Sequence, residues 1–322
     1  MSNQQEGAVS LSPRFYRLWT PSPGRSVAVG PERMPLPLPR VPLPVHVAVD
    51  PLGDPSDDAI GQGIFDYLRE FPDCPHNRVY AGLLRDAYPH FLAEIGTQLV
   101  MLDARQVDPL YIRRKITLLR ILLLLEPENP GLFQQLGIAH YQVGTMFSEL
   151  HNCRADLLKA LGYLQQALNR AAPEMGILNY LGQIDYYLGD YPGAARRWQG
   201  ICDRLPPGSA RQELLRRLQD IDAGKVPDHP LIDDFDAIGQ AQEAFRKGEV
   251  EDARRDMERV AEDPYFCAMY RAPEFFHFLG LCRERCGDVA GAIAAHAEAL
   301  NIEEDFEPAR EAFDRLHGDA DS

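Results

Sequence analysis

The feature that most restricts this chain is a recurring pair of amphipathic helical stretches joined at a glycine. Gly144, Gly189, Gly248 and Gly287 each follow a run with apolar residues at helical spacing and precede a second run built around an alanine. The clearest copy runs from Met175 to Gly208. There Leu178, Leu181-Gly182 and Tyr186 come before Gly189, while Ala194, Trp198 and Ile201 come after it and Pro206 follows. Apolar residues one turn apart give each helix a single sticky stripe. Gly182, having no side chain, lets the two helices approach closely, and Gly189 is expected to end the first helix in the left-handed conformation that glycine adopts cheaply. Pro206 is expected to end the second. A hairpin of this kind cannot bury its apolar surface alone, so successive copies must stack.

The other copies are in phase but irregular. Pro130 to Pro173 carries Phe133, Leu136-Gly137 and Gly144, then resumes at Ala160, Leu164 and Ala167 after an insertion around Thr145 to Asp156. Asp234 to Cys267 has Ala241, Gly248, Ala253, Met257 and Val260; Pro273 to Phe306 has Phe276, Leu279-Gly280, Gly287, Ala292 and Ala299. The last copy departs most, with His296 where a large apolar residue is expected and Glu304 where a helix-ending proline is expected. Glu307 to Leu316 reads as a solvating cap. Upstream, Pro89 to Asp103 and Pro109 to Leu125 read as a degenerate earlier pair in which Lys115 occupies a small-residue position, and Asp57 to Glu70 and Arg78 to Ala87 as further helices.

These residues, in this order, resemble the tetratricopeptide repeat (TPR). The resemblance covers about 130–316 well and extends toward 89. It implies an all-α fold: a TPR-like α-solenoid of antiparallel helix pairs, preceded by a Pro-rich extended N-terminal arm. The expected organisation is an arm over 1–55, N-terminal helices with a degenerate repeat over 56–129, and two units over 130–208. A helical linker over 209–233 and two units with a capping helix over 234–322 complete it.

Eleven of the 26 prolines lie within residues 1–55, and Pro35, Pro37, Pro39, Pro42 and Pro44 alternate with Leu and Val. Each proline fixes φ and blocks helix, so the arm is expected to be extended, mostly polyproline II. Val45, Val47 and Val49 are expected to form one short edge strand. Phe15, Tyr16, Leu18 and Trp19 are too apolar for a plain linker, so the arm either lies on its own helices or grips a partner.

A formal charge of −15 opposes phosphate backbones, so no nucleic-acid partner is expected. Charge is uneven: 220–263 holds 14 acids and 6 bases, whereas Arg113, Arg114, Lys115 and Arg120 make one helix basic. The run Ile116 to Leu125, interrupted by Arg120, falls short of the roughly 20 apolar residues of a bilayer span, so no membrane association is expected. Met1 to Ser10 carries no basic patch followed by an apolar stretch, and the six cysteines are scattered as in reduced proteins, so a cytoplasmic setting is expected. Cys282 and Cys286 share a helical face near His277 and His296, but the spacing is not the tight pair of structural zinc sites, so no metal and no cofactor are expected. No nucleophile elbow, phosphate loop or HExxH motif is present, and carboxylate pairs such as Asp233-Asp234 sit at helix starts, so no enzyme is expected.

What the resemblance implies about function follows from the first helices, whose side chains line a concave groove in that family. The corresponding residues here are Gln134, Ile138, Tyr141 and Gln142; Asn179, Gln183, Tyr186 and Tyr187; Phe235, Ile238, Gln242, Phe245 and Arg246; and Glu274, His277, Leu281, Glu284 and Arg285. Amides pair with a peptide backbone and aromatics offer rigid contact area, so the partner-binding set is Gln134, Tyr141, Asn179, Gln183, Tyr186, Tyr187, Gln242, Phe245, His277, Glu284 and Arg285. The lysine and asparagine clamp of the chaperone-tail binders is missing, since the matching pairs are Gln134/Ile138, Asn179/Gln183, Ile238/Gln242 and His277/Leu281. The expected function is a non-catalytic scaffold or adaptor that binds a peptide or protein in this groove. The alternative is an accessory subunit or assembly and maturation factor of a multi-subunit enzyme.

Overall fold

A computed structural model describes residues 15–48, 53–103, 108–172 and 174–320. The chain divides into two compact units, one from Met1–Val107 with Arg114–Asn129 and the other from Asp108–Arg113 with Pro130–Ser322.

In the first unit, strand β1 (Tyr16–Trp19) pairs antiparallel with β4 (Leu43–His46), and β2 (Ser26–Val29) with β3 (Met34–Pro37). The register sets Tyr16 against His46 and Val27 against Leu36. The proline alternation, expected to give an extended polyproline arm, instead gives two ladders, and parity is the reason. Along a strand, successive N–H groups point to opposite edges. Pro35 and Pro37 sit at odd positions while Leu38 N donates to Arg25 O at 2.9 Å, so the missing donors all face away from β2. In β4 the parity reverses: Pro44 is the residue without a donor, and Val47 N, just beyond the strand, donates to Phe15 O at 2.9 Å. Val45 lies in β4 and Val47 follows it; Val49 lies outside the described residues.

The arm lies on its own unit. Leu43 and Val45 are fully buried beside α1 (Asp57–Glu70), where Gly63 faces the Pro44 carbonyl so closely that any side chain would collide with it. Helix α1 begins at Ser56, whose hydroxyl accepts from Ala59 N at 3.2 Å, with Asp57 and Asp58 favourable in the first turn. Helices α2 (Asn77–Ala87), α3 (Pro89–Asp103) and α4 (Pro109–Leu125) complete the series. Ile60, Ile64, Phe65, Leu68, Leu84, Ile95, Leu118 and Ile121 form one core with Leu43.

The second unit is a succession of helix hairpins. Helix α5 (Pro130–Gly144) pairs with α6 (Cys153–Arg170), and α7 (Met175–Tyr187) with α8 (Tyr191–Cys202). Helix α9 (Ser209–Asp222) follows, then the pair α10 (Leu231–Lys247) and α11 (Val250–Ala261). The short α12 (Pro264–Met269), the pair α13 (Pro273–Arg285) and α14 (Val289–Ile302), and the terminal α15 (Glu307–Ala320) end it. One contact recurs inside three hairpins: Gly137 meets Leu164, Gly182 meets Trp198 and Gly280 meets His296. The turns recur as well. Gly189, Gly248 and Gly287 have φ of 84°, 86° and 83°. Asp190 and Asp288, directly after two of them, accept from Gly193 N and Gly291 N at 2.9 Å and so cap the next helix.

Gly144 differs from the other three turn glycines. Its φ is not positive, because the chain runs on through Thr145 into a 3-10 helix (Phe147–Asn152) instead of turning directly. Its small size serves a close approach, since a Cβ there would lie 2.9 Å from Asp156 Cβ. Arg113 donates two hydrogen bonds to the buried Asp156, at 3.0 and 2.7 Å, and one to Glu149 at 2.7 Å, while His140 Nδ1 lies 2.8 Å from Asp156. Despite its burial the Asp156 carboxyl is held below the usual range by the His140 and Arg113 hydrogen bonds. Among the described residues no helix is long and apolar enough to cross a membrane.

Candidate functional site

The residues expected to line a groove fall into separate clusters. Tyr141 donates through its hydroxyl to Gln183 Oε1, and its ring meets Tyr180 at 5.0 Å and lies parallel to Tyr187 at 6.5 Å. Tyr187 is buried and packs edge-on against Phe235 at 5.4 Å. Burial raises the phenols of Tyr141 and Tyr187 above their ordinary range. Gln134 reaches Glu174 at 3.2 Å, and Asn179 is half-buried on the same helix as Gln183.

A second cluster holds the insertion of the first hairpin. Gln242 Nε2 donates to Phe147 O at 2.8 Å and Tyr270 Oη to Thr145 O at 3.1 Å. Phe147 meets Phe278 at 5.9 Å, Phe278 meets Phe245 at 5.2 Å, and the Arg285 guanidinium lies 5.3 Å over the Phe245 ring. Gly239 on α10 admits the insertion's backbone: a Cβ there would lie 2.7 Å from His151 Cα. Arg154 then pairs with Asp233 and Asp236 on α10. The chain's own segment thus occupies Gln242 directly and reaches Phe245 through Phe278.

The third cluster is in the last hairpin. His277 and His296 approach Nδ1 to Nδ1 at 3.3 Å, and Glu284 receives both forks of Arg315 at 2.7 and 2.8 Å. Cys282 is buried, which pushes its thiol up to about 12. Among the described residues, Cys282, Cys286 and His277 do not converge as a ligand set; the set whose donor atoms do lie within 4.8 Å of one another is His229, Asp234 and Asp263.

Tyr186 points elsewhere. Packed against Trp198 at 5.7 Å and Tyr191 at 5.1 Å, it forms one wall of a cavity of about 500 Å³. Ile221 from α9 and Pro264, Tyr265, Ala268 and Met269 from α12 supply the apolar lining, and Glu213, Arg216, Arg217, Asp220 and Lys225 the charged rim. Helix α9 contains no fully buried residue, although Leu214, Leu215, Leu218 and Ile221 recur at helical spacing. The cavity runs along its charged face, Glu213, Arg216, Arg217 and Asp220, and of the four apolar residues Ile221 is the one that lines it. On the rim, Arg216 and Arg217 donate to Glu213 at 2.8 to 3.0 Å and hold its carboxyl down to about 2. Arg217 also lies 5.6 Å over the Trp198 ring. Arg216 also donates to Asp220 at 3.1 Å, so the arrangement can take an apolar or aromatic side chain between Tyr186 and Met269 and meet a carboxylate at Lys225.

Of this cavity, the groove residues expected from sequence include Tyr186 alone. The rest comes from α9 and from Lys225 just after it, within the segment expected to be a linker, and from α12. The stripe of Leu214, Leu215, Leu218 and Ile221 in α9 gives little signal of it, since Ile221 is its one member at the cavity.

No protein-family model matches the chain, and no curated protein matches it. Among solved structures, 14 chains match. The chain is similar to the TPR domain of P58(IPK) at 15% identity and a TM-score of 0.34, over 82% of this chain and 65% of that one. It is similar to the APC/C hetero-tetramer Cut9-Hcn1 at 11% identity and a TM-score of 0.26, over 80% and 52%. A tetratricopeptide repeat protein from Parabacteroides merdae is similar at 15% identity and a TM-score of 0.25, over 80% and 98%. The chain spans less than two thirds of the length of the first two.

Proposed function

We propose that this TPR-like series of helix hairpins is a non-catalytic protein-interaction scaffold that takes a short segment of another protein between α7, α9 and α12. The observation that carries this reading is a cavity of about 500 Å³ with Tyr186, Ile221, Pro264, Tyr265, Ala268 and Met269 as its apolar lining and a charged rim from α9. A cavity of this size, apolar inside with a few charged groups at its rim, is suited to a ligand. The three cations Arg216, Arg217 and Lys225 outnumber the carboxylates of Glu213 and Asp220, so the preferred segment carries an apolar or aromatic side chain next to an acidic one. Gln134 and Asn179 remain in the proposal as half-buried amides within reach of a backbone. The set Tyr141, Gln183, Tyr187, Gln242, Phe245, His277, Glu284 and Arg285 contributes to the proposal by holding the frame.

The test uses p-benzoylphenylalanine at Tyr265, with the exposed Arg255 on α11 as the control position. The expected result is an adduct of discrete mass at position 265, absent at 255 and lost when Met269→Glu is added. Equal adducts at both positions, or an adduct that survives Met269→Glu, would contradict the reading.

A second reading, an accessory or assembly subunit whose arm meets a catalytic partner, is favoured by one observation. Phe15 (71% exposed), just before β1, with Leu18 (53%) on β1 and Met34 (63%) on β3, leave apolar side chains of the arm in water. Under that reading Phe15→Ser with Leu18→Ser weakens assembly and Met269→Glu does not.

A further inference from the structure

Three separate segments bring charge to one place beside the third hairpin. His229 comes from the connection after α9, Asp234 from the first turn of α10, and Asp263 from the joint between α11 and α12. His229 Nε2 lies 2.9 Å from Asp234 Oδ2 and 4.0 Å from Asp263 Oδ2, and all three donor atoms lie within 4.8 Å of one another. A cation with bonds of about 2.0–2.2 Å holds its ligand atoms roughly 3–4 Å apart, so binding would open the 2.9 Å His229–Asp234 hydrogen bond slightly and draw Asp263 inward.

A second observation is independent of that convergence. Asp234 is fully buried, and its Oδ1 has no hydrogen-bond partner. The nearest cation, Arg259 on α11, stands 3.7 Å away with its side chain half in solvent, too far to donate. A buried carboxylate oxygen in this state has capacity left for a water or an ion. The remaining polar contacts are accounted for. Asp263 Oδ1 accepts from Tyr265 N at 2.8 Å and caps α12, which leaves Oδ2 directed at the cluster. The nearby Cys267 thiol is turned toward Ala261 O at 3.6 Å.

We infer that His229, Asp234 and Asp263 form an open site for one divalent transition-metal cation, with zinc the best match. One imidazole nitrogen and two carboxylate oxygens form a borderline donor set, harder than thiolate sites and softer than the all-oxygen cages that calcium and magnesium prefer. Three protein ligands leave further positions for water, and His229, 39% exposed at its side chain, gives an entry path. The bound ion ties the connection after α9 to α10 and α12. This inference stands whether or not a peptide occupies the cavity.

The test is calorimetry of the full, untagged chain, stripped with chelator, against zinc chloride and then against magnesium and calcium chloride. The expected result is one zinc per chain, weakened about tenfold or more by His229→Gln and by Asp263→Asn, and unaffected by Cys282→Ser with Cys286→Ser. Asparagine at 263 still caps α12, so a retained circular dichroism spectrum separates ligand loss from unfolding. Cobalt chloride adds a second readout: visible absorption bands without the ultraviolet charge transfer of a thiolate. Absence of stoichiometric zinc binding, binding indifferent to both ligand variants, binding lost with the cysteines, or equal affinity for magnesium would overturn the inference.

Discussion

Gly182 on α7 faces the Trp198 indole on α8 with no space for a Cβ between them. Gly280 against His296 and Gly137 against Leu164 repeat the relationship, each glycine admitting the large residue of its partner helix. Gly162, inside α6, has nothing within 4 Å of where its Cβ would stand.

Two substitutions of the same kind should therefore have opposite signs. Gly162→Ala is expected to raise stability by about 0.5–1 kcal/mol, the usual gain when a helical glycine is replaced. Gly182→Ala is expected to lower it, and Gly182→Leu to cost about 1–3 kcal/mol or more through overpacking. Thermal melts of the three variants check this; a Gly182→Leu protein that melts with the wild type would refute the packing.

His296 gives a pH dependence. It is buried, its Nε2 has no partner, and its pKa is lowered to about 4, first by burial and then by its neighbour His277. An unfolded histidine titrates near about 6.5, so below that pH the unfolded chain binds the extra proton and the folded one does not. The contribution of His296 is complete above about 6.5 and is lost as pH falls toward 4, on the order of 1–3 kcal/mol. His277, also lowered by burial, acts in the same direction. Melting temperature measured across this window should fall less steeply in His296→Leu than in the wild type; an unchanged slope would assign the loss to other groups.

The insertion should detach before the hairpins do. Gly239→Ala places a Cβ against the His151 backbone and is expected to free the segment around Phe147, raising its cleavage by a protease while helical circular dichroism is retained. Tyr270→Phe removes the hydroxyl bond to Thr145 O and should act more weakly, at about 0.5–1.5 kcal/mol. Cleavage rates equal to wild type in both would mean that α10 does not hold the insertion.

Periodicity made most of the helices legible. Pro89–Asp103, Pro109–Leu125 and Asp57–Glu70 have the bounds their apolar spacing implies, and the three left-handed glycines stand where a hairpin needs them. Contacts between distant segments were not legible. Gln242 meets Phe147 across 95 residues and Tyr270 meets Thr145 across 125, and no local pattern encodes such a pairing. The same holds for the cavity. Its walls come from Tyr186, α9 and α12, and α12 is only six residues long, too short to show a period. In the arm the proline spacing was read as a block to pairing, whereas its parity leaves every second donor free to pair.

The most direct test of the scaffold reading is hydrogen exchange on the full chain, with and without a peptide selected for binding from a displayed library. Slowed exchange is expected in 213–225 and 264–269, the segments that line the cavity, with the insertion 145–152 unchanged. Protection confined to the insertion and α10, or protection nowhere in the second unit, would contradict it.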